Sequence, residues 1–121
     1  MSRFLAFCFI LVSTAARAGH FPVTAAYGTL SACAAFAAGG VQAVETGEDV
    51  SAVLVTPSEV TAAGLICPAD KAEVKGTKVT AACTLGQDQP FTLAATIEEN
   101  APSRTVKYSS EVTTVILNRC D

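Results

Sequence analysis

Residues 78–97, KVTAACTLGQDQPFTLAATI, decide the fold because they predict two strands joined by a turn. Apolar and polar residues alternate on both sides of segment 86–90, GQDQP, which is rich in turn-forming residues. Such period-two alternation is typical of a strand that buries one face. We expect the buried face to carry Val79, Ala81, Cys83, Leu85, Phe91, Leu93, Ala95 and Ile97.

Strand-like runs on both sides of this hairpin extend the expected sheet. They predict strands within residues 51–55, from about 60 or 64 to 67, and within 71–75, 104–108 and 111–120. Between the first two runs, Thr-Pro-Ser-Glu at 56–59 predicts a single helical turn or a tight turn. The sequence does not decide which face of the last run is buried. Ile116 would lie on the same face as Cys120, whereas Val115 and Leu117 would lie on the opposite face.

Residues 29–38, TLSACAAFAA, predict one helix. Thr29 or Ser31 can cap its first turn, and alanine favours the helical state. Gly39-Gly40 can end the helix in a left-handed conformation. At helical spacing, the face expected to meet the core carries Leu30, Cys33 and Phe36 or Ala37.

The predicted fold class is therefore α+β and β-rich. We expect an antiparallel meander sheet of five to seven strands, or a small barrel, with one N-terminal Ala-rich helix and disulfide staples. Residues 19–121 should form a single small domain, because a chain of that length fits one core that buries roughly two-thirds of its unfolded surface.

Residues 1–18 have the pattern of a cleaved signal peptide. A short basic start precedes the apolar run 4–12, and Ala16-Arg17-Ala18 has the small-x-small form of a signal-peptidase site. The apolar run is too short for a membrane span, which needs roughly twenty residues. We therefore predict an exported protein, periplasmic or extracellular, that is cleaved near Ala18-Gly19 and does not span a membrane.

Four cysteines remain after this cleavage, and an even count in a short exported chain predicts two disulfides. Zinc is the rival interpretation, but the cysteines form no Cys-x-x-Cys pair and the one histidine, His20, is close to the new N-terminus. Three pairings are possible. Cys83 on an inward strand face and Cys120 at the end of the last run favour Cys83–Cys120, which leaves Cys33–Cys67 to fix the helix.

The charge balance disfavours nucleic acid and anionic membranes as partners. Without Arg3 and Arg17 of the signal peptide, six basic and eleven acidic residues give a net charge of −5. The acidic residues include a run at Glu45, Glu48 and Asp49. Such runs are more often solvated loops than binding sites.

The sequence contains no pattern of a catalytic, metal or cofactor site. His20 alone would have to supply the base of a hydrolytic triad. No glycine-rich phosphate loop, EF-hand loop or Cys-x-x-Cys redox pair is present. We therefore expect no cofactor, no metal and no enzymatic activity.

Binding is the remaining class of function. We expect a small exported binding or inhibitor-like module whose partner is another protein or an envelope component. Its plan of a signal peptide, about a hundred mature residues and two bridges is similar to that of several small periplasmic inhibitor proteins, including lysozyme inhibitors. The candidate binding residues are Glu45, Glu48, Asp49, Gln87, Asp88 and Gln89, with the 100–103 turn as a further candidate surface.

Two alternatives stay open. A structural or envelope-associated component would act through an exposed sheet edge, for which residues 51–55 are the candidate. A small periplasmic enzyme would need two carboxylates that converge in a pocket, from among Glu59, Glu73, Glu98 and Glu111.

Overall fold

The computed structural model describes residues 19–47, 49, 51–62, 64–86, 89–111 and 113–121. The predicted signal peptide therefore lies outside the described residues. Within them the helix α1 is Leu30–Glu45. The nine strands are β1 Tyr27–Gly28, β2 Val53–Val55, β3 Glu59–Ala62, β4 Leu65–Pro68, β5 Ala72–Lys75, β6 Lys78–Leu85, β7 Gln89–Asn100, β8 Thr105–Ser110 and β9 Thr114–Arg119.

All neighbouring strands are antiparallel, in the order β4-β3-β2-β1-β9-β8-β7-β6-β5. The first strand of this order also pairs with β6, through Leu65 opposite Leu85 and Ile66 opposite Thr84, and so eight strands close into a barrel. β5 follows β4 along the same edge of β6, after a short 3-10 turn at Ala69–Lys71. The predicted fold class is confirmed, in its barrel form.

The nine described strands exceed the expected five to seven for two reasons, one of which is the short strand β1, Tyr27–Gly28. The run expected as one strand up to Cys67 is two strands, β3 and β4, that pair with each other as a hairpin. Gly64 in their connection has a φ of +77°, a left-handed conformation that glycine adopts without a steric penalty. The 56–59 segment is a tight turn, in which Thr56 Oγ1 accepts a hydrogen bond from the Glu59 N–H at 3.0 Å.

The main core fills the barrel interior with side chains that alternate along each strand. In the β6–β7 hairpin, the predicted inward residues Val79, Ala81, Cys83, Leu93, Ala95 and Ile97 are buried, whereas Leu85 and Phe91, predicted to be buried with them, are exposed. In β9, Leu117 is fully buried and Val115 packs partly against the same core, so Ile116 points outward. The burial of Leu117 and the partial burial of Val115 show which face of β9 is inward, a choice that the sequence alone left open.

The two ends of the barrel can be told apart by their connections. We name the arm end after the N-terminal arm, residues 19–26, which lies there: the Gly19 N–H donates to Ala69 O at 2.8 Å and the Phe21 N–H to Pro57 O at 2.7 Å. The Gly64 end is the opposite one, at which Gly64 and Gly86 lie and β8 ends. Phe21 and Val23 are buried in the barrel core, so the arm closes its own end.

Helix α1 packs on the outside of the barrel. Thr29 caps it, accepting a hydrogen bond from the Ala32 N–H at 3.3 Å. Gly40 leaves the helical conformation, with a φ of +77°, where we predicted the end of the helix, but the helix resumes to Glu45. Ala32 and Val44 pack on Leu54, whose side chain points out of the barrel, and this contact holds the second helical segment.

The expectation that Leu30 faces the core is wrong, because its side chain is 89% exposed. The helix instead presents its alanine side to the barrel, where the approach is too close for larger residues. A Cβ on Gly28 would lie 3.3 Å from Ala32 Cβ and 3.0 Å from Val53 O. Ala32, not Leu30, is therefore the buried residue of the first turn.

The disulfides are Cys33–Cys120 and Cys67–Cys83, so the favoured pairing of Cys33 with Cys67 and Cys83 with Cys120 is wrong. Ile66 of β4 lies opposite Thr84 of β6. Cys67 follows Ile66, and Cys83 precedes Thr84, so the two cysteines take the next opposing positions of this antiparallel pair. Cys120 follows β9, whose partner β1 leads directly into α1 and Cys33. These strand pairings, which sequence spacing does not reveal, decide the bridges.

Two disulfides in a domain of this size suggest an oxidising, exported environment. In the part of the chain that the structure describes, no helix is long and apolar enough to cross a membrane.

Candidate functional site

Two large apolar side chains at the Gly64 end point along the inward face of the barrel yet remain exposed. Leu85 is 39% exposed and Phe91 is 43% exposed. Leu85 lies opposite Leu65 of β4, which packs partly against the core, and Phe91 lies opposite the buried Cys83. Side chains directly opposite in an antiparallel pair share one face of the sheet. Leu65, Leu85 and Phe91 therefore form an apolar rim, a name used below for these three residues.

The arm end contrasts with this rim because its apolar side chains are covered. Phe21 is 0% exposed and Tyr27 is 1% exposed. Glu99, on the inward side of β7, anchors the arm: its Oε2 accepts hydrogen bonds from Tyr27 Oη at 2.6 Å, Thr24 Oγ1 at 2.7 Å and the Thr24 N–H at 3.2 Å. The protein thus has one sealed end and one end with exposed apolar groups.

The electrostatics of the Glu99 anchor follow from these contacts. Partial burial raises the pKa of Glu99, but the hydrogen bonds from Tyr27 and Thr24 lower it, and the net result is a pKa below the usual value. Burial raises the pKa of Tyr27, and its hydrogen bond to Glu99 raises it further. Glu99 is therefore a charged acceptor that holds the arm, and Tyr27 a neutral donor.

Backbone hydrogen bonds bring three connections together at the Gly64 end. The Gly64 N–H donates to Glu45 O at 2.9 Å, and the Gly86 N–H donates to Gly64 O at 2.7 Å. The end of α1, the β3–β4 turn and the β6–β7 hairpin therefore meet beside the rim. Of the predicted binding residues, Glu45 and Gln89 lie at this end, and the 100–103 turn lies at the arm end. Glu48, Gln87 and Asp88 lie outside the described residues.

Asp49, the remaining predicted binding residue, is tied to the first turn of the helix. It accepts hydrogen bonds from Ser31 Oγ at 2.6 Å and, through its other oxygen, from Ser51 Oγ at 2.7 Å and the Ser51 N–H at 2.9 Å. The hydrogen bond from Ser31, followed by those from Ser51, lowers the pKa of Asp49 to about 2. Asp49 is exposed and fully ionised at neutral pH.

Charge is distributed unevenly between the two ends. The described charged residues in or next to the Gly64-end connections are all acidic: Glu45, Asp49 and Glu111. The described basic residues are on β5, β6, β8 and β9 or at the arm end, namely Lys71, Lys75, Lys78, Arg104, Lys107 and Arg119. The described charged residues of the Gly64-end connections are therefore negative.

The four carboxylates considered for an enzymatic site are on different parts of the sheet: Glu59 in β3, Glu73 in β5, Glu98 in β7 and Glu111 just after β8. His20 is exposed, with Nδ1 2.9 Å from Phe21 O. Burial, and secondarily the charge of Glu45, raise the pKa of Glu59. Glu98 and Glu99 point to opposite faces of β7. No three His, Cys, Asp or Glu side chains in the described ranges come together in a way that could hold a metal ion.

Sequence reasoning missed the rim because the alternation of residues 79–97 assigned Leu85 and Phe91 to the core. The signal that could have found it is a mismatch in strand length. β7 has 12 residues and its neighbour β8 has 6. Among the described residues, the first half of β7 therefore has no paired strand on the side away from β6.

Comparison of this chain with protein-family models, with curated proteins and with solved structures found no match. A functional assignment for this barrel therefore depends on its geometry and charge.

Proposed function

We propose that this protein is an exported, non-enzymatic module that binds another protein through the Gly64 end of its barrel. The observation that carries the proposal is the exposure of Leu85 and Phe91 at inward-pointing positions. Large apolar groups left in water beside polar loops are typical of protein-binding surfaces, where a partially buried aromatic residue often supplies much of the affinity.

Two features support export and rigidity. The sequence of residues 1–18 has a signal-peptide pattern with a small-x-small site at Ala16-Arg17-Ala18, which supports export. Both disulfides fix the barrel: one joins β4 to β6 and the other joins α1 to the end of β9. A rigid scaffold lowers the entropic cost of binding, since few groups need to be ordered. The mature protein is proposed to begin at Gly19, in the periplasm or outside the cell.

The alternative function, a structural or envelope-associated component, was expected to use residues 51–55 as an exposed sheet edge. Residues 53–55 form β2, which pairs with β1 on one side and β3 on the other, so they offer no free edge to a partner. The expectation that residues 51–55 provide an exposed edge is wrong, because the two-residue strand β1 covers it. The apolar rim remains the better-supported surface.

Affinity capture with matched variants tests the proposal. Oxidised protein lacking residues 1–18 is immobilised and exposed to envelope extract of the native cells, alongside Phe91→Ser and Leu85→Ser. Ile116→Ser is the control, since Ile116 is 56% exposed on the outer face of β9, away from the rim.

We expect the parent and Ile116→Ser to retain the same protein. The two rim variants should retain at least tenfold less of it, although their own thermal stability should equal that of the parent. Equal retention by all four proteins would show that the partner does not contact the rim. No saturable retention at all would remove the support for a protein-binding role.

A further inference from the structure

One edge of β7 is unpaired beside the apolar rim. β7 pairs with β6 from Gln89 to Thr96, but the ladder to β8 on its other side ends at Ala95 opposite Ser110. No strand among the described residues pairs with that side of residues 89–93. An unpaired edge presents backbone N–H and C=O groups that an added strand can bind.

The direction of these backbone groups follows from one hydrogen bond. The Ile97 N–H donates to Thr77 O on the β6 side, at 2.8 Å. Backbone groups alternate in direction along a strand, so the odd-numbered residues of β7 face β6 and the even-numbered ones face away. Thr92 therefore offers both N–H and C=O at the free edge. Pro90 offers only C=O, because proline has no N–H.

The second free edge among the described strands, that of β5, is protected by charge, whereas the β7 edge carries no charge and is interrupted by Pro90. β5 has four residues, and its exposed residues are the charged Glu73 and Lys75. Short length and charge are the usual means of preventing edge-to-edge association. Residues 89–93, Gln-Pro-Phe-Thr-Leu, carry no charge, and Pro90 leaves Thr92 as the residue in this stretch that offers an N–H at the edge. The β7 edge is therefore open to a partner strand.

The charge around the edge selects the occupant. Glu111 directly follows Ser110, the last β8 residue paired with β7, and so borders the free edge; Glu45 reaches the hairpin on its β6 side, through Gly64. The chain itself has a net charge of −3, or −5 without residues 1–18. A second copy would bring the same acidic end against this one, and like charges repel. A basic segment gains attraction from the same groups.

We propose that residues 89–93 of β7 bind an extended, basic segment of the partner protein as an additional antiparallel strand. This inference rests on the proposed binding function and specifies how the partner binds. In an antiparallel pair, the partner residues whose N–H groups face β7 share the outer side with Thr92. Basic residues fit these positions. The residues between them lie on the inner side with Phe91 and Leu93, where apolar side chains fit.

Matched peptides test the strand. The probe is a fluorescein-labelled decapeptide of alternating lysine and valine, titrated into the oxidised protein and followed by fluorescence anisotropy. One derivative carries backbone N-methyl groups on its lysines and another carries them on its valines. Both keep the charge and the side chains, but only the first blocks the N–H groups that face β7.

We expect the valine-methylated peptide to bind within threefold of the parent peptide and the lysine-methylated peptide at least tenfold more weakly. A glutamate–valine decapeptide should also bind at least tenfold more weakly. Hydrogen exchange of the Thr92 amide should slow at least tenfold in the complex. Thr92→Pro, which removes the free N–H, should weaken binding at least tenfold, and the methylated peptides keep the test decisive if that variant does not fold.

Three results would overturn the inference. Equal binding of the two methylated peptides would exclude backbone pairing, and equal binding of the acidic peptide would exclude selection by charge. Dimerisation of the oxidised protein through the Thr92 edge, seen by sedimentation, would make a second copy the occupant. In each case, loss of captured partner in Phe91→Ser still tests the proposed function independently.

Discussion

Single residues at the arm end determine how firmly the barrel is closed. Glu99 is the acceptor for three hydrogen bonds from Thr24 and Tyr27, although these residues are more than seventy positions away in the sequence. Glu98, the next residue, is exposed on the outer face of β7. Glu99 therefore holds the arm and the adjacent Glu98 does not, so a substitution of Glu98 is a control for one of Glu99.

Glu99→Gln should lower the free energy of unfolding by about 1 kcal/mol, because hydrogen bonds to a charged group are lost in a partly exposed site. The pKa of Glu99 is lowered by folding from an ordinary value of 4.5. Its contribution is therefore fully present above about pH 5 and is lost as the pH falls through the lowered pKa. Urea unfolding at pH 7 and pH 3 measures the difference between parent and variant.

We expect that difference to shrink at pH 3, where the parent approaches the protonated state that glutamine mimics. Glu98→Gln should change the stability by less than about 0.5 kcal/mol at either pH. A loss in Glu98→Gln as large as that in Glu99→Gln would show that the arm is not held through Glu99.

Asp49 provides a second test at this scale, for the charge held at the first turn of the helix. Its carboxyl should titrate with a pKa of about 2. Ser31→Ala removes the hydrogen bond with the largest effect and should raise this pKa towards the ordinary value of 3.8. Carbon-13 NMR of the Asp49 carboxyl measures both. Ser58→Ala, at the arm end, is the control and should leave the titration unchanged; an unaltered pKa in Ser31→Ala would contradict the contact.

At the scale of elements, strand pairing explains both disulfides. Cys67–Cys83 links the two strands whose pairing closes the barrel, and Cys33–Cys120 links the helix to the C-terminal strand. The bridges enclose 16 and 87 residues, respectively. On the chain-entropy account, the longer loop stabilises by about 4.5 kcal/mol and the shorter by about 3 kcal/mol.

A peptide map of the unreduced protein should therefore contain the linked peptides Cys33–Cys120 and Cys67–Cys83 and no free thiol among these four residues. The Cys33→Ser/Cys120→Ser variant should lose more stability than Cys67→Ala/Cys83→Ala, by about 1.5 kcal/mol, if loop entropy dominates. Guanidinium unfolding compares the two. A map that links Cys83 to Cys120 would contradict the strand pairing of β4 and β6.

For the whole molecule, the central feature is a barrel that is sealed at one end and apolar but exposed at the other. The N-terminal arm contains almost no regular structure, yet Phe21 and Val23 belong to the core. At the Gly64 end, Phe91 occupies an inward position without comparable cover. Phenylalanine is thus expected to contribute more to the stability of the fold at the arm end, as Phe21, than at the Gly64 end, as Phe91.

Phe21→Ala should destabilise the protein by about 4 kcal/mol, because a fully buried aromatic ring is replaced by a cavity. Phe91→Ala should cost less than about 1 kcal/mol, since much of its side chain already contacts water. Thermal and urea unfolding of the two variants provide the comparison. Equal losses would mean that both ends are packed alike and would remove the asymmetry on which the binding proposal depends.

The sequence by itself determined the β-rich class, the 78–97 hairpin, the helix start at Thr29 and the presence of two disulfides. These depend on local patterns: period-two alternation, turn residues, a capping side chain and an even cysteine count. The turn was expected to extend to Pro90, but β7 begins at Gln89, and the helix end predicted at Gly39-Gly40 is an interruption at Gly40.

Only the tertiary structure decided barrel closure, the cysteine pairing, the covering arm and the exposed rim. Each depends on contacts between residues far apart in the chain, such as β1 with β9 or Glu99 with Tyr27. The sequence shows that Phe21 and Phe91 are both apolar, but not which of them is covered. That difference arises because the arm packs into one end of the barrel, while β8 stops short of the first half of β7 at the other.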